Sequence, residues 1–231
     1  MATKKIEIPA EHWDGVFGPS SCLVIDTTVD AQGRVNAAAH ATATRVCHNP
    51  VDICITVNDF SHTWSNIQET GEFVINVVPF DIDVLEKVRI VGLPFERGVN
   101  ELERANLTSI PSIAVAPPRV ADCKAHYECK VEWTKHWGHR VMICGRVVAV
   151  TMDEDCYDPR GLIRWENLKP AHFCGAPYDG NFVGAYEPLF AEMKYDGPRD
   201  WRTDLGDTIK RSGVDWGAAT ANLNFPNVLQ P

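Results

Sequence analysis

Two short stretches of this chain hold residue types that could grip a flat, anionic ligand. The first is Asn36-Ala37-Ala38-Ala39-His40-Ala41-Thr42-Ala43-Thr44, and the second is Asn58-Asp59-Phe60-Ser61-His62-Thr63. Small side chains in the first let a planar molecule lie against the backbone, whose exposed N–H and C=O groups can bond ring heteroatoms. The second opens a helical pattern, and the first N–H groups of a helix find no partner inside it. With the hydroxyls of Thr42, Thr44, Ser61 and Thr63 near them, those N–H groups make a phosphate cradle, to which His62 can add positive charge. A plainer account stands beside this one. An Ala/Thr strand can simply accommodate a close neighbour, and Ser-x-Thr can simply cap a helix.

Other groupings carry less. Cys123-x-x-His126-x-x-Cys129 suggests zinc, but a strand sends the histidine to the face opposite the two cysteines and sets those about 20 Å apart. No metal site is expected. Cys47-His48 resembles a nucleophile and base, yet neighbours in extended chain point apart. Asp153-Glu154-Asp155 reads as a solvated face. His136 and His139, in a Trp-rich turn, remain candidates for the mouth of a site, His139 as a proton or hydrogen-bond donor.

The elements that must position these residues are mostly strands. Cys22–Val29 is apolar and β-branched, and Asp30-Ala31-Gln32-Gly33 has the composition of a hairpin turn. Arg34–Thr44 returns as one strand, and Val51–Val57 is the next. Ser61–Thr70 predicts a helix, with a cap at Ser61 or Thr63, Trp64 and Ile67 on one face and Gly71 as its stop. Glu72–Val78 is a strand and Asp81–Ile90 a helix. Residues 92–120 read as surface loop. Two long strands, Ala125–Thr134 and Arg140–Thr151, flank the connector Lys135–His139. The set predicts a mainly β, antiparallel, Greek-key-like barrel with a few helices. We divide the chain into a domain over 1–190 and an extension over 191–231 that packs on a dimer partner or a ligand mouth.

Composition removes whole classes. The chain has 31 acidic against 22 basic residues, a net charge of −9, which argues against nucleic-acid binding. No apolar run approaches the roughly 20 residues of a membrane span. No export signal is read at the start, so the eight cysteines are expected to be reduced and the protein cytoplasmic.

Order and spacing then identify a likeness. Val24-Ile25-Asp26-Thr27-Thr28, Gly33-Arg34-Val35-Asn36-Ala37 and Asn49-Pro50-Val51 lead into an unbroken block from His62 to Asn76. Pro118-Arg119-Val120, Ala125–Val131 and the stretch from Pro170 through Tyr178 to Gly184 follow. Together these resemble the flavin reductase-like family with the FMN-binding split barrel, the group that includes flavoredoxin. The resemblance covers roughly residues 18–186.

It implies a homodimer that binds FMN, with FAD possible, near the subunit interface. Asn36, Ala41, Thr42, Ala43 and Thr44 should line the ring and ribityl chain. Ser61, His62 and Thr63 should hold the phosphate, with Asn58 close by, and Asn76 and Val77 should touch the ring edge. It also implies NAD(P)H-dependent reduction of flavin, with hydride passing through N5. The alternatives of the same fold are a flavoenzyme for a specific small molecule and a non-catalytic electron carrier. The chain departs from the family at His40–Ala43, where relatives carry Ser, Phe or Trp. It departs again at Trp137-Gly138-His139, which lacks the acid before the histidine and so bears on nicotinamide use.

Overall fold

The computed structural model describes residues 5, 7, 9–12, 21–159, 161–174 and 182–184. Chain contacts divide it into Met1–Glu187 and Pro188–Pro231. The expected extension over 191–231 lies outside the described residues. No helix among the described residues is long and apolar enough to cross a membrane.

Short β1 (Ser21–Cys22) precedes β2 (Val24–Val29), β3 (Val35–His40), β4 (Thr44–His48) and β5 (Val51–Asn58). Helix α1 (His62–Thr70), β6 (Glu72–Val77), α2 (Ile82–Val91) and α3 (Glu101–Arg104) follow. After β7 (Ser109–Ile110) and β8 (Arg119–Val120) come the long strands β9 (Ala125–Trp137) and β10 (Arg140–Met152). The described part closes with β11 (Tyr157–Asp158), β12 (Leu162–Ile163), α4 (Trp165–Leu168), β13 (Ala171–Phe173) and β14 (Phe182–Gly184). Seven strands make one sheet in the order β3-β2-β6-β9-β10-β5-β4, antiparallel at every step. This is the mainly β split barrel that the sequence predicts. Its ladder is open between β3 and β4.

The β2–β3 hairpin forms because Asp30 organises its turn. The Asp30 Oδ1 accepts from the N–H of Gln32 at 3.0 Å and of Arg34 at 2.9 Å, and Gly33 takes a φ of +78° that side chains disfavour. Three expectations are corrected beyond it. The single strand over Arg34–Thr44 is two strands, because residues 41–43 leave the ladder. There the Thr42 hydroxyl donates to Thr56 O and accepts from Thr56 N–H, at 3.0 and 3.1 Å, replacing main-chain bonds with side-chain ones. The loop over 92–120 contains α3, β7 and β8. The connector over 135–139 shrinks to the two residues Gly138 and His139, since β9 runs on to pair Trp137 with Arg140.

Two cores result. Inside the barrel, Ile53, Ile55, Phe73, Ile75, Val141 and Ile143 pack with Trp64 and Ile67 of α1, which closes one end. Gly145 makes room for this packing, since a Cβ there would stand 2.5 Å from the Phe73 ring. Outside, Leu85, Val88, Leu102 and Leu107 cover Leu23, Ile25 and Ala37. Strand β2 is therefore covered on both faces, and all six of its residues are buried. All eight cysteines are free.

Candidate functional site

The first turn of α1 meets the start of β3 through carboxamides and hydroxyls. Asn36 Nδ2 donates to Thr28 Oγ1 at 3.3 Å and to Thr63 Oγ1 at 3.2 Å, and Asn66 Nδ2 donates to the same Thr28 oxygen at 3.1 Å. Alternation along β3 decides this. Val35, Ala37 and Ala39 face the outer core, so Asn36, Ala38 and His40 share the other face. The edge of β3 is fastened from outside, where the Ala37 N–H donates to Glu101 Oε2 at 2.8 Å. Burial pushes the Glu101 carboxyl above its ordinary value.

Above this cluster lies a surface hollow lined by Asp30, Arg34, Asn36, His62, Asn66, Arg97 and their neighbours. Two guanidinium groups, an imidazole, two carboxamides and the Asp30 carboxylate line it beside a helix start. By helix geometry the N–H groups of His62 and Thr63 have no intrahelical acceptor. Arg34 Nε is held by Asp30 at 2.6 Å, and Arg97 Nη2 by Glu69 at 2.6 Å. Each keeps further N–H groups to offer, because a guanidinium carries five donors. The donor set suits a phosphate.

The sequence-chosen residues sort into three groups. Asn36, Ser61, His62 and Thr63 gather at this corner, with Asn58 beside them. Ser61 is the α1 cap, its Oγ accepting from Trp64 N–H at 3.1 Å and donating to Asn58 O at 2.7 Å. Thr63 is buried and turned inward to Asn36. Only His62 of the three phosphate residues lines the hollow. Ala41, Thr42, Ala43 and Thr44 occupy the seam between β3 and β4, with Ala43 resting on the barrel core.

Asn76 and Val77 stand apart. Strand pairing sets Asn76 between Ile25 and His126, where its Nδ2 donates to Ile25 O at 2.9 Å and its Oδ1 accepts from Val120 N–H at 2.9 Å. Asn76 is 0 % exposed, and Val77 packs with Ala125, Cys156 and Leu168 in a separate cluster. Neither side chain offers surface to a ring edge.

His139 occupies the β9–β10 turn, 90 % exposed, with its Nδ1 3.7 Å from Asp59 Oδ2. The Asp59 N–H also donates to His139 O at 3.2 Å. The acid missing before this histidine in sequence is thus supplied across space. His136 stacks edge-on to Trp64, their ring centres 5.2 Å apart.

The zinc grouping is dispersed. Cys123 lies in the outer core and Cys129 in the barrel, while the His126 ring nitrogens engage Thr151 Oγ1 and Val120 O at 3.1 and 2.9 Å. Asp153, Asp155 and Cys156 have ligand-type atoms within 4.8 Å of one another, but both acids are exposed and burial pushes the Cys156 thiol up to about 11.

Sequence reasoning missed Arg34, Arg97, Asn66 and Glu101. Arg34 carried a faint signal, since it follows a hairpin glycine and must flank the turn. Arg97 carried none, because its partner Glu69 is 28 residues away.

Comparison with known proteins agrees with this architecture. The family model described as flavin reductase like domain matches residues 20–168. The FMN reductase (NADH) RutF of Bradyrhizobium diazoefficiens is 26 % identical over 143 residues, 62 % of this chain and 75 % of its own. Nitrilotriacetate monooxygenase component B from Bacillus cereus superposes with a TM-score of 0.73 at 22 % identity, covering 82 % of this chain and 100 % of its own. Flavoredoxin of Desulfovibrio vulgaris (Miyazaki F) gives 0.69 at 22 % identity, covering 84 % and 98 %. A match across the seven-stranded sheet and the α1 corner places this chain in the flavin reductase-like family.

Proposed function

We propose that this protein binds FMN and works as an oxidoreductase, taking hydride from NAD(P)H and passing it on through the flavin. The observation that carries the reading is the donor-rich hollow at the start of α1, where His62, Arg34 and Arg97 converge. These groups hold the phosphate, while Ala38 and the small residues of the β3–β4 seam leave room for the ring. When bound, the flavin supplies the hydride-accepting centre. The chain's task is to hold and orient it and to keep water out. No side chain need act as acid or base for hydride transfer, so the reading requires no catalytic triad.

Asp59 beside His139 supports the nicotinamide reading over a flavoenzyme devoted to another small molecule, because it restores an acid–imidazole pair to the turn. The FMN reductase activity of the RutF relative points the same way. A homodimer belongs to the proposal. Trp133 and Trp137 lie four residues apart on one face of β9, with Lys135 between them, and are each 45 % exposed, apolar surface that a second copy would cover.

The purified chain should be yellow or become so on adding FMN, and Arg97→Ala should weaken FMN binding about tenfold, the effect of one lost charge-assisted contact of about 1.5 kcal/mol. Stopped-flow mixing of the FMN-loaded protein with NADH and NADPH should bleach the flavin band with at least one of them. A colourless chain indifferent to FMN removes the cofactor. A flavin left oxidised by both nucleotides removes the reductase assignment.

A further inference from the structure

Among the described residues, three buried side-chain atoms have no hydrogen-bond partner: both carboxyl oxygens of Asp26 and Nε2 of His40. Asp26 sits in the middle of β2, paired with Ala38 on one side and Ile75 on the other, and is 0 % exposed. Its Oδ2 lies 3.6 Å from His40 Nε2. That is too long for a formed hydrogen bond and close enough for one small rotation to make it. Leaving these atoms unsatisfied costs about 1–3 kcal/mol each, and an isolated buried carboxylate costs far more.

The charge state follows from the surroundings. Burial pushes Asp26 well above the usual carboxylate range. Burial, and then the positive charge of Arg140, pulls His40 down to about 4. Among the described residues, Cys129 of β9 also faces Asp26, and its thiol is itself pushed up by burial and so adds no charge. Burial without a hydrogen-bond partner therefore favours the uncharged form of both groups. A neutral carboxyl has one O–H to donate, and His40 Nε2 is the acceptor within reach. With Nε2 accepting, the hydrogen of the neutral imidazole must be on Nδ1.

His40 shares its strand face with Asn36 and Ala38, and the Ala41–Thr44 seam follows directly. Its side chain is 18 % exposed, and none of that surface belongs to Nε2. The accessible surface lies on the other side-chain atoms. We propose that His40 is a ligand-facing hydrogen-bond donor, fixed as the Nδ1–H tautomer by a neutral Asp26 behind it. Its acceptor is a carbonyl oxygen or ring nitrogen of a planar heterocycle lying along β3. This rests on the flavin reading above and gives it a second anchor. Asn36 and His40 are four residues, or about 13 Å, apart along the strand, so one end grips the anion and the other the ring. Asp26 is a positioning residue and does not touch the ligand.

Nitrogen-15 histidine spectra of the full chain without flavin test the tautomer directly. His40 should stay neutral with hydrogen on Nδ1 from pH 5.5 to 8. Asp26→Asn should keep that state, since its amide N–H can donate to Nε2. Asp26→Leu should release it. An imidazolium titrating near 6.5, or an Nε2–H tautomer in the unaltered protein, overturns the proposal. FMN titration then tests the contact. His40→Ala should weaken binding about tenfold, and His40→Asn, whose amide can stand where Nδ1 stood, should recover most of it. Equal affinity in the unaltered and alanine proteins overturns the proposal while leaving flavin binding intact. Failure of the unaltered protein to bind FMN, with His40 still Nδ1–H, strikes the flavin reading instead and with it the ligand named here.

Discussion

The two ends of β3 obey opposite rules. At Asn36 the buried polar groups are paired: carboxamide to hydroxyls, Thr63 to Asn36, and the neighbouring Ala37 N–H to Glu101. At His40, four residues on, an imidazole nitrogen and a carboxyl are buried with nothing bonded to either. Both ends face the same side of one strand. The satisfied end behaves as framework, since removing a partner there strands the other. The unsatisfied end loses little when altered and has bonding capacity still to spend on something else.

Stability measurements can break this contrast, and the largest effect belongs to the framework. Asn76→Ala, which orphans the Val120 N–H and takes a side-chain donor from Ile25 O, should cost about 2 kcal/mol in urea unfolding. A loss below 1 kcal/mol would mean that the interior amide is dispensable. Asp26→Asn should do the reverse and stabilise. Unfolded Asp26 ionises from about pH 4 upward while the folded carboxyl stays protonated, so each pH unit favours unfolding by up to about 1.4 kcal/mol. His40 opposes this between about 4 and 6.5, where it is neutral when folded and charged when unfolded. The unaltered protein should thus lose stability as pH rises past about 6.5. The gain from Asp26→Asn should be absent near pH 4 and grow with pH for as long as the folded carboxyl stays protonated. A gain independent of pH would show that ionisation is not its cause.

Smaller effects sharpen the framework end. Asn36→Ala should cost about 1.5 kcal/mol by releasing Thr28 and Thr63. Ser61→Ala should cost about 1 kcal/mol through the lost cap on Trp64 N–H. Thermal unfolding followed by circular dichroism reads both, and their order should hold.

The sequence made some of this visible through local rules. Helix α1 could be read because its cap, its two buried apolar residues and its stopping glycine all lie within eleven positions, and Gly71 duly adopts a φ of 69°. The β2–β3 turn was legible for the same reason. The break at residues 41–43 was not, since no glycine or proline marks it and a side chain from Thr42 causes it. Asp26 looked like one polar residue in an apolar strand. Only covering both faces of β2, by the barrel core and by the α2–α3 layer, removes it from water. The corner at Asn36, His62 and Thr63 was found from residue types, yet Thr63 and Ser61 serve the fold there. Arg97 and Glu101, which complete it, come from a stretch without any pattern, and Glu101 reaches Ala37 across 64 positions.

That reach has an outcome for how the molecule lives among its own copies. The rim of a pleated sheet is adhesive, because a bare amide will accept any passing extended segment as its next row. In this protein a carboxyl borrowed from a distant helix occupies the amide of Ala37. A second extended segment is thereby denied that amide as a point of attachment.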